Sequence, residues 1–271
     1  MPIKCVVVHL ADDPRHRARL DVAVEIAQRF GAHLNVVYAT EPVDYPAGAI
    51  GRAVSLEYLD EQTERANVRA AEIQREVEEV CNAHLASWKW HVGQGDVDEI
   101  VSRYAHLADL IIAEQISDEF PIDRTALHMS DQLIIAAGCA MLIVPHVWTS
   151  GTIGNRVLIA WKNNRETIGA VRGALDFLCE AAEVFILPAD DAEQDTPGED
   201  LARYLSRHGI SAQVLGVSAN DGDDILDVAV DKDCDLIVMG AYAHSRLREI
   251  IFGGATQHVM RHTTIPVLMR H

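Results

Sequence analysis

Positive charge is scarce in this chain. Its 271 residues include 23 Lys and Arg against 41 Asp and Glu, a net charge of -18 at pH 7. The deficit is shared, with 12 basic and 23 acidic side chains in residues 1–150 and 11 and 18 in residues 151–271. Both parts repel a phosphate backbone at long range, so nucleic acid is not an expected partner. A small anion remains admissible, because one local nest of backbone N–H groups can outweigh a diffuse field. Long apolar runs are missing too, and none approaches the ~20 residues that a membrane span needs. The opening Met1-Pro2-Ile3-Lys4-Cys5-Val6-Val7-Val8-His9 lacks the longer apolar region and cleavage site of a secretion signal. A cytoplasmic location without membrane contact is therefore expected.

Paired cysteines are also absent. Cys5, Cys81, Cys139, Cys179 and Cys234 form no CxxC, so they read as reduced core thiols and imply neither zinc nor redox chemistry. The chain has no G-x-S-x-G elbow and no GxxxxGK[ST] loop. No nucleophile with its base emerges, so no catalytic residue is assigned. His258 and His262 stand at a spacing that two metal ligands use, but no third ligand lies near them in sequence, and no metal site is assigned.

What the chain does have is a repeat. Cys5-Val6-Val7-Val8 resembles Val157-Leu158-Ile159-Ala160, and Ala108-Asp109-Leu110-Ile111-Ile112 resembles Cys234-Asp235-Leu236-Ile237-Val238. Ala140-Met141-Leu142-Ile143-Val144 resembles Ile265-Pro266-Val267-Leu268-Met269. Repetition on this scale implies a duplicated domain, not a solenoid. The expected division is 1–148 and 153–271, with a short linker near 146–154 that contains Thr149, Ser150, Gly151 and Gly154.

Within each half, Val/Ile/Leu runs alternate with helical patterns. Expected strands are 3–9, 33–39, 86–92, 109–113 and 140–145, then 155–160, 183–187, 211–217, 235–239 and 265–269. Expected helices include 15–30, the charged stretch 53–84, one starting at Asp96, and then 165–179, 197–208, 222–232 and 254–262. Continuous apolar strands alternating with helices specify an α/β fold: two doubly wound, five-stranded parallel sheets.

Such a sheet binds ligands at the carboxyl ends of its strands, where strand order reverses. In the second half, strand four runs into Met239-Gly240-Ala241-Tyr242-Ala243-His244-Ser245-Arg246, and Gly253-Gly254-Ala255 precedes a helix. Small residues at a helix N-terminus leave room for a phosphate beside free N–H groups. Two glycines before a helix also serve a plain turn, and by themselves they favour that explanation.

The second half resembles the universal stress protein family. The resemblance is carried by Val157-Leu158-Ile159-Ala160, Asp235 to Gly240, the loop from His244-Ser245 to Gly253-Gly254, and Ile265-Pro266-Val267-Leu268. The first half resembles a degenerate copy, so the chain is similar to a tandem universal stress protein. The resemblance implies Rossmann-like domains of the adenine nucleotide alpha hydrolase type. It also implies a stress-response role and ATP or a related nucleotide, with magnesium, in the second domain. The family's G-x2-G-x9-G-(S/T) signature falls on Gly240, Ala243, Gly253 and Gly254, so the second glycine and the final hydroxyl are replaced. Lys162 stands where nucleotide binders carry aspartate after strand one. Implied contacts are Gly240, Ala243, His244, Ser245, Gly253, Gly254 and Ala255 to phosphates, Lys162 and Asn163 beside the nucleoside or phosphate, and Leu187 and Pro188 near the base.

In the first half, Leu10 takes the aspartate position, and Glu114-Gln115-Ile116-Ser117-Asp118-Glu119 has no glycine. No ATP site is expected there. The resemblance also implies pairing of the last strands, 140–145 and 265–269, either between the two domains or in a homo-oligomer. Two further roles stay open: a scaffold that binds no nucleotide and acts through dimerisation and protein partners, and a slow ATPase.

Overall fold

The computed structural model describes residues 2–40, 56–115, 131–189, 198–241 and 254–271. In the first half these form β1 (Cys5–Leu10), α1 (His16–Phe30), β2 (His33–Thr40), α2 (Leu56–His84), β3 (Trp88–Gln94), α3 (Val97–Ala105), β4 (Leu110–Glu114), α4 (Asp131–Ala137) and β5 (Ala140–Val144). The second half forms β6 (Arg156–Trp161), α5 (Arg165–Gly173), α6 (Leu175–Glu180), β7 (Glu183–Pro188), α7 (Glu199–Ser206), β8 (Ala212–Val214), α8 (Gly222–Asp231), β9 (Leu236–Gly240), α9 (Gly254–His262) and β10 (Val267–Arg270).

The two expected sheets are one. Strand order is β3-β2-β1-β4-β5-β10-β9-β6-β7-β8, which reads as the same five-strand order twice, joined at the last strands. Each half is parallel throughout, and the seam is antiparallel, with Val267 opposite Ile143, Leu268 opposite Leu142 and Met269 opposite Met141. The pairing of last strands therefore closes within the chain. The edge strands β3 and β8 contain no buried residue, whereas the inner strands are buried on both faces, because alternate residues enter opposite layers. Val6 and Val8 point into one and Val7 into the other; at the seam Leu142 and Leu268 join the first, and Met141 and Met269 the second. Both apolar layers cross the seam without a break, so the halves share their core.

The duplication also shows in how strands are tied. Asp109 accepts hydrogen bonds from the backbone N–H groups of Lys4 (2.8 Å) and Cys5 (2.9 Å). Its counterpart Asp235 accepts from Gly154 (2.9 Å), Asn155 (3.1 Å) and Arg156 (2.9 Å). In each half the acid before strand four pins the start of strand one, through two charge-assisted bonds in the first half and three in the second. The segment read as a linker is held as well: Arg15 donates to the carbonyls of Pro145 (3.1 Å) and Trp148 (2.5 Å), and Arg29 to that of Ile153 (2.6 Å).

Several expectations need adjustment. The single helix expected over 165–179 divides into α5 and α6 around Ala174. Gly173 there lies against β5 of the other half: a Cβ on it would sit 2.6 Å from Ala140 Cβ. The strand expected over 211–217 is only Ala212–Val214. Cys179 is exposed, not a core thiol, whereas Cys81 and Cys234 are buried, and burial pushes both of those thiols up to about 11.

Candidate functional site

Strand order reverses between β6 and β9, and a cleft of about 240 Å³ opens at their carboxyl ends. Leu187, Ala219, Ile225 and Met239 give it an apolar floor. Lys162, Asn220 and Asp221 line it from exposed positions. The first turns of α5 and α9 contribute Thr167, Ala255 and Thr256.

Local chemistry explains these positions. Asn164 follows β6 in extended conformation and caps α5, accepting from the Thr167 N–H at 2.8 Å. Asp221 caps α8 in the same way, accepting from the Asp224 N–H at 3.1 Å. The backbone and side-chain amides of Asn220 hold the Asp224 carboxyl below its ordinary value. Gly240 ends β9 under close approach: a Cβ there would lie 2.6 Å from Thr167 N and 2.8 Å from Thr167 Oγ1. The glycine is required by the packing of α5 before any ligand is considered.

Of the residues singled out by sequence, Lys162, Leu187, Gly240 and Ala255 line this cleft. Pro188 is buried at the end of β7, while Asn163 and Gly254 are exposed, and none of these three lines it. Ala243, His244, Ser245 and Gly253 lie outside the described residues. Sequence reasoning missed Asn164, Thr167, Asn220, Asp221 and Thr256 as lining residues. Asn164 alone carried a local signal, an Asn three residues past a strand at a helix start.

The equivalent place in the first half is built differently. Val6 pairs with Leu110 and Val157 with Leu236, so Ala11, not Leu10, corresponds to Lys162. Matching Cys5 to Val157 by sequence is one residue out of register. Glu114 ends β4 where Gly240 ends β9. Its carboxylate meets Arg19 at 2.7 Å, Arg15 at 3.2 Å and His146 at 3.0 Å. Arg19, only 2% exposed, also grips Asp13 through both carboxylate oxygens at 3.1 and 2.5 Å and donates to the His9 carbonyl at 3.2 Å. Burial opposes every charge in this cluster, but the mutual hydrogen bonds outweigh it: the Asp13 and Glu114 carboxyls are lowered and the Arg19 guanidinium is raised. His9 beside it is buried and pushed down to about 3 by burial and by Arg19, so it stays neutral, with Nε2 3.2 Å from the Ala39 carbonyl. It is a hydrogen-bonded residue at a strand end. His258 and His262 stack at 4.3 Å, and His258 meets Asp223 at 2.7 Å. Among the described residues, no group of three or more His, Cys, Asp or Glu side chains could hold a metal ion.

The family model of universal stress proteins matches residues 3–145 and 156–271. The chain belongs to the universal stress protein family. The universal stress protein Slr1230 of Synechocystis is 35% identical over 66 residues, 24% of this chain and 23% of that protein. The universal stress protein MJ0577 of Methanocaldococcus jannaschii is 28% identical over 71 residues, 26% of this chain and 44% of that protein. The chain thus spans less than half the length of these relatives. A universal stress protein from Archaeoglobus fulgidus shares the fold at a TM-score of 0.71 and 16% identity, over 97% of this chain and 94% of that one. A putative universal stress protein of Pseudomonas aeruginosa follows at 0.61 and 16%, over 98% and 92%. The architecture is Rossmann-like α/β in two repeats. No helix among the described residues is long and apolar enough to cross a membrane.

Proposed function

We propose that this universal stress protein is a cytoplasmic regulator that binds ATP or a related nucleotide in its second half, residues 153–271. The observation that carries the reading is the cleft at the β6/β9 switch point: apolar below, with Lys162 at its exposed edge and the N-terminal turn of α9 beside it. An apolar floor with a few convergent polar groups suits a heterocyclic base, and the lysine and helix end suit phosphate. About 240 Å³ lies below the roughly 300 Å³ at which drug-sized pockets begin, so it takes the nucleoside and leaves the outer phosphates beyond the edge. Asp221 is the one carboxylate lining the cleft among the described residues, and it already caps α8. Magnesium therefore arrives with the phosphates.

Occupancy biases partner binding by favouring one conformation of the second half. The first half supports this role without a nucleotide of its own, since Glu114 and its cations fill the equivalent place. Isothermal titration with ATP, with and without magnesium, is expected to give one site per chain. Absence of heat at millimolar ATP overturns the reading and leaves association alone as the role.

A further inference from the structure

Two side chains of the cleft stand out once the nucleotide reading is accepted, and the inference rests on that reading. Thr167 and Thr256 line the cleft and are 2% and 8% exposed. Thr167 uses its backbone N–H on Asn164, and among the described residues neither hydroxyl makes a hydrogen bond. Buried hydroxyls ordinarily have partners, because an unmade hydrogen bond is costly. Gly240 keeps one of them accessible: a side chain there would meet Thr167 Oγ1 at 2.8 Å.

The surroundings select the ligand group. The floor is Leu187, Ala219, Ile225 and Met239, without charge, and Lys162 is exposed at the edge. A phosphate at this depth would lose its water with no cation beside it. A hydroxyl both donates and accepts, and its natural complement is another neutral group that does both. We infer that Thr167 and Thr256 read the sugar hydroxyls of the bound nucleotide, with the base over the apolar floor and the phosphates outward at Lys162 and the exposed start of α9.

The test compares ATP with 2′-deoxy-ATP and 3′-deoxy-ATP by calorimetry on the intact chain, the Thr167→Val variant and the Thr256→Val variant. The intact chain should prefer ATP over at least one analogue by about tenfold, the worth of one hydrogen bond. In a variant that preference should fall to about one. Its melting temperature should not drop, because valine removes an unpaired buried hydroxyl; a merely structural threonine would show a lower melting temperature and an unchanged ratio. Equal binding of ATP and both analogues by the intact chain overturns the inference and leaves nucleotide binding standing. So does a preference that survives both variants. Binding of none of the three overturns the nucleotide reading, and the inference with it.

Discussion

Replacing Arg19 by methionine tests the charge cluster of the first half. Arg19 is 2% exposed, and its guanidinium holds Asp13 at 3.1 and 2.5 Å and Glu114 at 2.7 Å. Methionine fills most of the volume and leaves two buried carboxylates. Removing one partner of a buried ion pair costs about 3–5 kcal/mol. Glu114 keeps Arg15 at 3.2 Å, so the lower end, ~3 kcal/mol at pH 7.5, is expected. The pH dependence identifies the cause. With Arg19 present, the depressed carboxyls contribute stability above their unfolded values, and it is lost as pH falls through their folded values. Without Arg19, burial raises the Asp13 carboxyl, the native state binds the extra proton, and stability falls as pH rises. The gap between the two proteins must therefore be wider at pH 7.5 than at pH 5. Urea unfolding at the two pH values measures it, and Asp13→Asn added to Arg19→Met should recover part of the loss. A gap below about 1 kcal/mol at pH 7.5, the scale of exposed pairs, or one independent of pH, refutes the reasoning.

His9 predicts a second acid response. Its native value of about 3 lies below the ordinary 6.5, so between these values only the unfolded chain is protonated, and stability falls by about 1.4 kcal/mol per unit of decreasing pH. His9→Gln, which keeps an N–H for the Ala39 carbonyl, should lose about 2 kcal/mol less than the parent between pH 7 and pH 5, read from denaturant midpoints; equal losses would remove His9 as the cause. Gly240→Ala places a methyl 2.6 Å from the backbone nitrogen of Thr167, which cannot yield as a flexible side chain does. It should cost about 1–3 kcal/mol without any ligand, and an unchanged melting temperature would show that the glycine answers to the ligand alone.

Most of the fold was legible because it is local. Val6-Val7-Val8 and Leu236-Ile237-Val238 are short continuous apolar runs, which suit a strand buried on both faces, and Gly254–His262 matches its expected span. Asp96 was readable as a helix start for the same reason, since it accepts from an N–H three residues on. The fusion of two sheets was not settled by composition, because Ala140–Val144 has the same apolar character whether its neighbour is a domain or another copy. Arg19 reads as an ordinary charge on a helix, and its partner Glu114 is 95 residues away. Thr167 and Thr256 are unremarkable in a helical pattern, and they enter the cleft only through the packing of α5 and α9 on the sheet. The one-residue slip in matching the halves has a similar source: apolar runs fix which segments correspond, while strand register depends on hydrogen bonds that the runs do not encode.

The two strand ends, Glu114 and Gly240, show how one architecture supports opposite local solutions. Backbone turns at the end of β9 with α5 so near that no side chain fits, and the cleft beside it is lined by Thr167 and Thr256. At the end of β4 a carboxylate stands at the equivalent position, held by Arg19 of α1, by Arg15 just before that helix and by His146. The cluster then reaches onward: Gln115 accepts from the His146 N–H at 3.0 Å and donates to the Thr263 carbonyl at 3.0 Å, immediately after α9. The helix that borders the cleft at its N-terminus is thus held at its C-terminal end by the filled half. Closure of the β5–β10 seam within one chain secures the shared core without a second molecule. The charge cluster at the end of β4 thus ties the first half to the second through Gln115 as well as holding its own strand end.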